Sequence, residues 1–376
     1  MTALSHAIGC AMLLSWIAVA QAGWSFAPLP ILDYSSDHGF GYGGVAQAVW
    51  RPIEEEPPKL TVGVQLMWTT RAYRDHWLKL DWRINDTWRV EGVGGFRAWD
   101  YAPYFGEGHA PIELDPEETR YAYCITGARV LLNVRRRLSG PFEFFATGFL
   151  RTAEINAWPG SVLEDQGSFE DGRYLSLAAG LLVDSRDALP SPTAGHLAEL
   201  SVRASHPWLG SEFAGGGVNL TERVYLSRSE ALVWASKATL DLRWGETPFF
   251  ASHILGGSQW TALGGPWMLR GYPEGRFRGD GALLVSTELR WTVHTLHLRG
   301  HSVGLMPTPF VDAGRVWQWD KRQVSALPAV NGGLGARFVW DEDIVLRIDT
   351  AVGVERLETG QLGPSFGIWT MMDHPF

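Results

Sequence analysis

The sequence predicts an all-β fold, a transmembrane antiparallel β-barrel of about 16 strands. Three observations point there. The chain carries 19 Trp and 43 Gly among 376 residues, yet its mean hydropathy is only -0.07. A helical membrane protein is far more apolar, and soluble chains of this length rarely hold so many indoles; aromatic-rich, Gly-rich and near-neutral describes a barrel wall. Second, period-two alternation recurs from residue 39 onward, with one apolar and one charged face. Third, no stretch after the N-terminal leader approaches the apolar length of a membrane helix.

Residues 1–22 read as a secretory signal: a short apolar core is followed by Ala20-Gln21-Ala22, a small-x-small cleavage site. Cys10 precedes that core, so it is not read as a lipid-modified cysteine. Cys124 is then the only cysteine left, which excludes an internal disulfide and any Cys-based metal site. Residues 23–38 are expected as a short N-terminal segment, too short for a folded module, with the barrel occupying 39–376.

The strands follow from alternation. Leu78, Leu80, Trp82 and Ile84 oppose Lys79, Asp81 and Arg83; Trp88, Val90 and Phe96 oppose Arg89, Glu91 and Arg97. Further on, Trp234, Leu240, Leu242 and Trp244 oppose Lys237, Asp241 and Arg243. Near the C-terminus, Leu334, Ala336 and Phe338 oppose Arg337, and Leu346 and Ile348 oppose Arg347 and Asp349. Strands are expected at 39–50, 59–71, 75–84, 86–98, 119–133, 141–153, 172–184, 195–205, 216–227, 231–244, 248–256, 282–293, 301–313, 332–340, 343–353 and 364–375. Asn85-Asp86 reads as a two-residue hairpin turn. The long connections, 99–118, 154–171, 257–281 and 314–331, are rich in Pro, Gly and acidic residues and belong on the outer side.

Net charge is -9 with no basic patch, so nucleic acid is not an expected partner. His294, His297 and His301 straddle a turn between strands, a poor arrangement for converging on a metal. Asp33, Asp37 and His38 read as solvated polar residues. No Ser-His-acid constellation at strand spacing and no Gly-x-Ser-x-Gly elbow occurs. No catalytic residue, cofactor or metal is therefore assigned.

Several motifs occur together and in order. Leu269-Arg270-Gly271-Tyr272 sits in a long Gly-rich loop and is followed by Gly279-Asp280 and by Glu288-Leu289-Arg290. Phe310-Val311-Asp312-Ala313-Gly314, Gly333-x-Gly335-x-Arg337-Phe338 and Leu346-Arg347-Ile348-Asp349 come next, with Val183-Asp184-Ser185-Arg186-Asp187 and Pro28-x-Pro30 upstream. The series resembles the BamA-like outer-membrane assembly superfamily, the bacterial surface antigens, over most of residues 28–376. The resemblance implies that the 257–281 loop folds into the lumen and that Arg270 pairs with Asp312. Glu288 and Arg337 are then candidates to complete a charge network, and Gly314 and Gly335 to leave room for the loop tip. Phe366, Ile368 and Phe376, sharing a face with Met372, resemble a C-terminal barrel signal. The best-known members carry periplasmic POTRA domains, for which residues 23–38 have no room. The implied function is non-enzymatic. It is assistance in inserting or translocating proteins or lipids at the bacterial outer membrane. Outer-membrane lipid, client proteins or lipids, and periplasmic or lipoprotein subunits replacing the missing domains are the expected partners. The alternative is a passive or gated pore plugged by the 257–281 loop.

Overall fold

The computed structural model describes residues 22–53, 58–113, 116–167, 169–188, 191–229, 231–259, 261–298, 301–319, 328–340, 344–372 and 374–376. Apart from Ala22, the expected signal lies outside them. The described chain forms β1 (Gly23–Ser35), β2 (Gly39–Arg51), β3 (Leu60–Thr69), β4 (Tyr73–Arg83), β5 (Trp88–Pro103) and β6 (Ala122–Ser139). These continue as β7 (Phe142–Ala157), β8 (Gly172–Asp184), β9 (Gly195–Ser205), β10 (Gly215–Ser229) and β11 (Leu232–Gly245). The remainder are β12 (Gly281–Trp291), β13 (His294–Leu298), β14 (His301–Trp317), β15 (Ala329–Trp340), β16 (Ile344–Arg356) and β17 (Leu362–Met372). Both β12 and β13 pair with β14, end to end, so the 17 segments make a closed antiparallel barrel of 16 strands.

Burial is inverted relative to a soluble protein. On β3, Val64, Leu66 and Trp68 face outward and are exposed, while Gln65 and Thr69 are buried in the lumen. The same holds for Leu78 against Asp75 and for Leu334 against Arg337. Apolar groups outside and polar groups inside is the arrangement a bilayer demands of a barrel. Exposed Trp24, Trp82, Trp88, Trp234 and Trp291 lie toward the rim with the short turns. Tyr34, Tyr42, Trp68 and Trp244 lie toward the other. Amphipathic rings at both edges mark two membrane–water interfaces. Among the described residues, no helix is long and apolar enough to cross a membrane.

Three sequence expectations are corrected. Residues 23–35, expected ahead of the barrel, are its first strand, paired with β2 from Gly23↔Arg51 to Ser35↔Gly39. The strand expected at 248–256 is absent; a short helix, α1 (Phe249–Ser252), stands there inside the loop. One strand gained and one lost leave the total unchanged. The β4–β5 connection is longer than the two-residue turn. The Asn85 side chain accepts from the backbone N–H of Thr87 and Trp88, each at 2.9 Å, closing an Asx turn.

The barrel closes weakly. β16 and β17 pair from Leu346↔Met372 to Arg356↔Leu362. β1 and β17 share one register position, Ser35↔Trp369. Ser36 N–H donates to Ile368 O at 3.0 Å and Tyr34 N–H to Thr370 Oγ1 at 2.8 Å. β17 ends three residues past that contact, at Met372, and residues 374–376 are buried, so most of β1 has no register partner on that side among the described residues. The N–H groups of Tyr34 and Ser36 point at β17, and Pro28 and Pro30 share their parity. The unpaired edge of β1 therefore lacks donors at both prolines, as exposed sheet edges often do.

Candidate functional site

The β11–β12 loop runs inward and occupies much of the lumen. Its tip is reversed by a turn in which Tyr272 N–H donates to Leu269 O at 3.0 Å. Leu269 adopts φ 56, a left-handed conformation costing roughly 1–2 kcal/mol for a residue with a Cβ. Strain of this kind persists where surrounding contacts fix it. Leu269 packs in an apolar cluster with Leu284 and Val316, and a Cβ on Gly314 would overlap Leu284 and stand 3.1 Å from Leu269.

The turn aims Arg270 at the wall. Its Nη2 donates to Asp312 Oδ1 at 2.9 Å and its Nε to Asp312 Oδ2 at 3.1 Å. Its backbone N–H donates to the same Oδ2 at 3.0 Å. Nη1 reaches Glu288 at 3.2 Å and Asp349 at 3.3 Å, and Nη2 reaches Ser286 Oγ at 3.3 Å. The guanidinium carbon stands 3.4 Å from the centre of the Phe310 ring. Burial opposes the charge, but Asp312, Asp349 and Glu288 together hold the Arg270 pKa above its ordinary value.

Arg270 is one of four arginines meeting three carboxylates. Arg290 Nε donates to Glu288 at 2.7 Å, Arg337 Nη1 to Asp349 at 2.5 Å, and Arg347 Nη1 to Asp349 at 3.1 Å. None of the seven side chains is more than 1% exposed. Two further donors go outside the three carboxylates: Arg347 Nη1 to the main-chain carbonyl of Pro266 and Arg290 Nη2 to an oxygen of Phe376, the last residue, both at 2.7 Å. A buried network this dry fixes orientation but depends on every partner.

The neighbouring tip residues seat the turn. Gly271 lies against β15 and β16, where a Cβ would be 2.6 Å from Asn331 Cβ and 2.7 Å from Gly353 N. The Tyr272 hydroxyl faces Val330 O at 2.9 Å and Val354 O at 3.0 Å, and accepts from Val354 N–H at 3.1 Å. Trp369 Nε1 donates to Arg270 O at 2.7 Å, tying the tip to the last strand.

The structure thus brings together Leu269, Arg270, Gly271, Tyr272, Glu288, Asp312, Gly314 and Arg337. Two expected roles change. Gly335 makes room for the Arg337–Asp349 pair, since a Cβ there would overlap both, and not for the loop tip. Besides Gly314, the wall glycines against the tip are Gly353, beneath the Tyr272 ring, and Gly367, where a Cβ would overlap Arg270 O. Phe366 and Ile368 face outward on β17, but Phe376 leaves their face. It is buried against Tyr225, Val233 and Ala235. Asp349, Arg347 and Arg290 join the site without having been assigned to it. Their polar-face parity was the available signal, and it does not say which polar residues meet.

Asp33 and Asp37 are buried and His38 is half-buried, contrary to the expectation that all three are solvated. Asp37 Oδ2 accepts from Glu274 N–H at 2.7 Å, and His38 stacks on Tyr73 with ring centres 4.7 Å apart. Burial raises the Asp37 pKa to about 7 and lowers that of His38 to about 3. His294 and His297, three apart on β13, fall on opposite faces, and His301 packs on Trp340 at 5.5 Å.

No protein-family model matches the sequence, and no curated protein matches it. Solved structures do. BamA from Haemophilus ducreyi lacking POTRA domains 1–3 superposes with TM-score 0.60 at 15% identity, over 94% of this chain and 70% of that one. CdiB from Escherichia coli gives TM-score 0.58 at 14% identity, over 94% of this chain and 64% of that one. CdiB from Acinetobacter baumannii gives 0.51 at 13%, over 94% of this chain and 60% of that one. This chain therefore has the barrel fold of these proteins and spans about two thirds of their length.

Proposed function

We propose that this protein is an outer-membrane barrel of the BamA-like superfamily that assists insertion or translocation of proteins or lipids. The observation that carries the reading is the seam. β1 is fully paired to β2 on one side and meets β17 at one register position on the other. Parting β1 from β17 breaks few backbone bonds and frees a strand edge to pair with an incoming strand. Pro28 and Pro30 thin the donors on that edge, so a captured strand is held by fewer bonds than in a ladder interior and can leave. The Arg270 network gives the wall beside the seam a rigid support, because Trp369 and Asp349 lie on β17 and β16. The role is non-enzymatic, and its partners are outer-membrane lipid, client proteins or lipids, and periplasmic or lipoprotein subunits. Depletion of the protein in its host tests this. Levels of other outer-membrane proteins or lipids fall if the reading holds, and unchanged levels refute it.

A second reading, a gated pore, has its own observation: the β11–β12 loop occupies the lumen. In that case the loop is the gate and Arg270 its latch.

A further inference from the structure

The lumen holds a second charged patch, apart from Arg270, where β5, β6 and β7 face the inserted loop. Arg129 on β6 and Arg151 on β7 are register partners. Like charges directly opposite across a ladder repel unless an anion lies between them. Arg97 on β5, partner of Gly127, flanks the pair. The available carboxylates are already committed. Asp75 accepts from Arg129 Nη2 through both oxygens, at 2.7 and 2.8 Å, and stands 3.8 Å from Arg97. Glu274, from the loop, is 3.5 Å from Arg97. Arg151 makes no salt bridge and no side-chain hydrogen bond among the described residues; its guanidinium carbon stands 6.0 Å from the centre of the Phe250 ring. The Nε atoms of Arg97 and Arg129 are buried without acceptors.

These three arginines line an open pocket whose remaining wall includes Val93, Ile125, Leu131 and Phe149. Three guanidinium groups against two carboxylates leave a single positive charge beside an apolar surface. A guanidinium fork matches phosphate oxygens in geometry and charge. A doubly charged phosphate would face Asp75 and Glu274, whereas a singly charged diester balances the excess. We propose that this cavity binds a phosphodiester, with Arg151 as the principal ligand, Arg97 and Arg129 flanking it, and the apolar wall holding its organic substituent. The diester is either a lipid headgroup or a free molecule.

Calorimetric titration of the full chain in a neutral detergent tests the site. The probes are dihexanoylphosphatidylglycerol and glycerophosphoglycerol, the same headgroup without acyl chains. Binding of the lipid alone assigns a lipid headgroup, and binding of both assigns the diester itself. Binding of neither overturns the proposal. Arg151→Gln, checked for folding by its heat-modifiable gel mobility, is expected to weaken binding at least about tenfold, the scale of losing a hydrogen bond to a charged group. Unchanged affinity overturns the proposal. Should that variant fail to fold, the wild-type barrel decides: the bound diester must raise its thermal midpoint above that in an equal concentration of chloride. No rise overturns the proposal.

Discussion

Arg270 and Asp312 meet through two guanidinium hydrogen bonds, at 2.9 and 3.1 Å, and a third from the Arg270 backbone N–H at 3.0 Å. The pair fastens a loop tip to β14, with neither side chain more than 1% exposed. Truncating one member of such a pair leaves a buried uncompensated charge, which typically costs about 3–5 kcal/mol. Arg270→Ala and Asp312→Ala should each lower the unfolding midpoint of the detergent-solubilised barrel by a comparable amount. Exchanging the two residues should not rescue them. An aspartate at position 270 would face Glu288 and Asp349, which now lie 3.2 and 3.3 Å from the guanidinium. Rescue by the exchange would mean that Arg270 and Asp312 act as an isolated pair and not within the network.

Stability should depend on pH through Asp37. Its folded pKa, pushed up by burial to about 7, lies above the ordinary 3.8. The folded state therefore binds the proton more tightly than the unfolded state. Its contribution is full below about pH 3.8 and declines as pH rises toward about 7. Asp37→Asn keeps an oxygen to accept from Glu274 N–H and removes the titration. The variant should gain stability over wild type at pH 8 and match it near pH 4. A variant curve parallel to wild type across that range would contradict the assignment.

The glycines under the loop tip should be intolerant. Gly367→Ala puts a methyl group into Arg270 O, and overpacking of this kind costs about 1–3 kcal/mol. The tip should be pushed from the wall, exposing Arg270 and Arg276 to trypsin in a barrel that still migrates as folded. Gly140→Ala is the control. Gly140, unlike Gly367, has positive φ, and nothing lies within 4 Å of the added Cβ, so its substitution brings backbone strain without overlap. Equal trypsin resistance in both variants would argue against close seating of the tip.

The pore reading makes a separate prediction. If the loop gates the lumen, planar-bilayer conductance should be low in wild type and rise in Arg270→Ala. Silence in both forms removes the pore reading and leaves the seam as the working part.

Much of this was legible in the sequence, for a physical reason. Period-two parity assigns a face to each residue in a strand, so it placed Asp312, Glu288 and Arg337 in the lumen. Parity does not give register, so it could not show that Asp349 and Glu288, on different strands, converge on one guanidinium. Nor could it distinguish the glycine that admits the loop, Gly367, from Gly335, which admits Arg337. The first strand was missed because Pro28 and Pro30 weaken a strand pattern. The same prolines are tolerated because their nitrogens face the unpaired edge. The 248–256 segment misled in the opposite sense: Phe249, Phe250 and Ile254 are apolar because they pack inside the lumen, and not because they face lipid.

The seam is the central claim, and a reversible lock tests it most directly. Ser36→Cys with Ile368→Cys, in a Cys124→Ser background, places two thiols where Ser36 N–H now meets Ile368 O. The barrel is reconstituted in liposomes, and the folding rate of a urea-denatured outer-membrane protein is measured with the lock oxidised and reduced. The seam account predicts faster folding than in empty liposomes when the lock is reduced, loss of that acceleration on oxidation, and its return with reductant. Acceleration indifferent to the lock, or none in the reduced form, would contradict it.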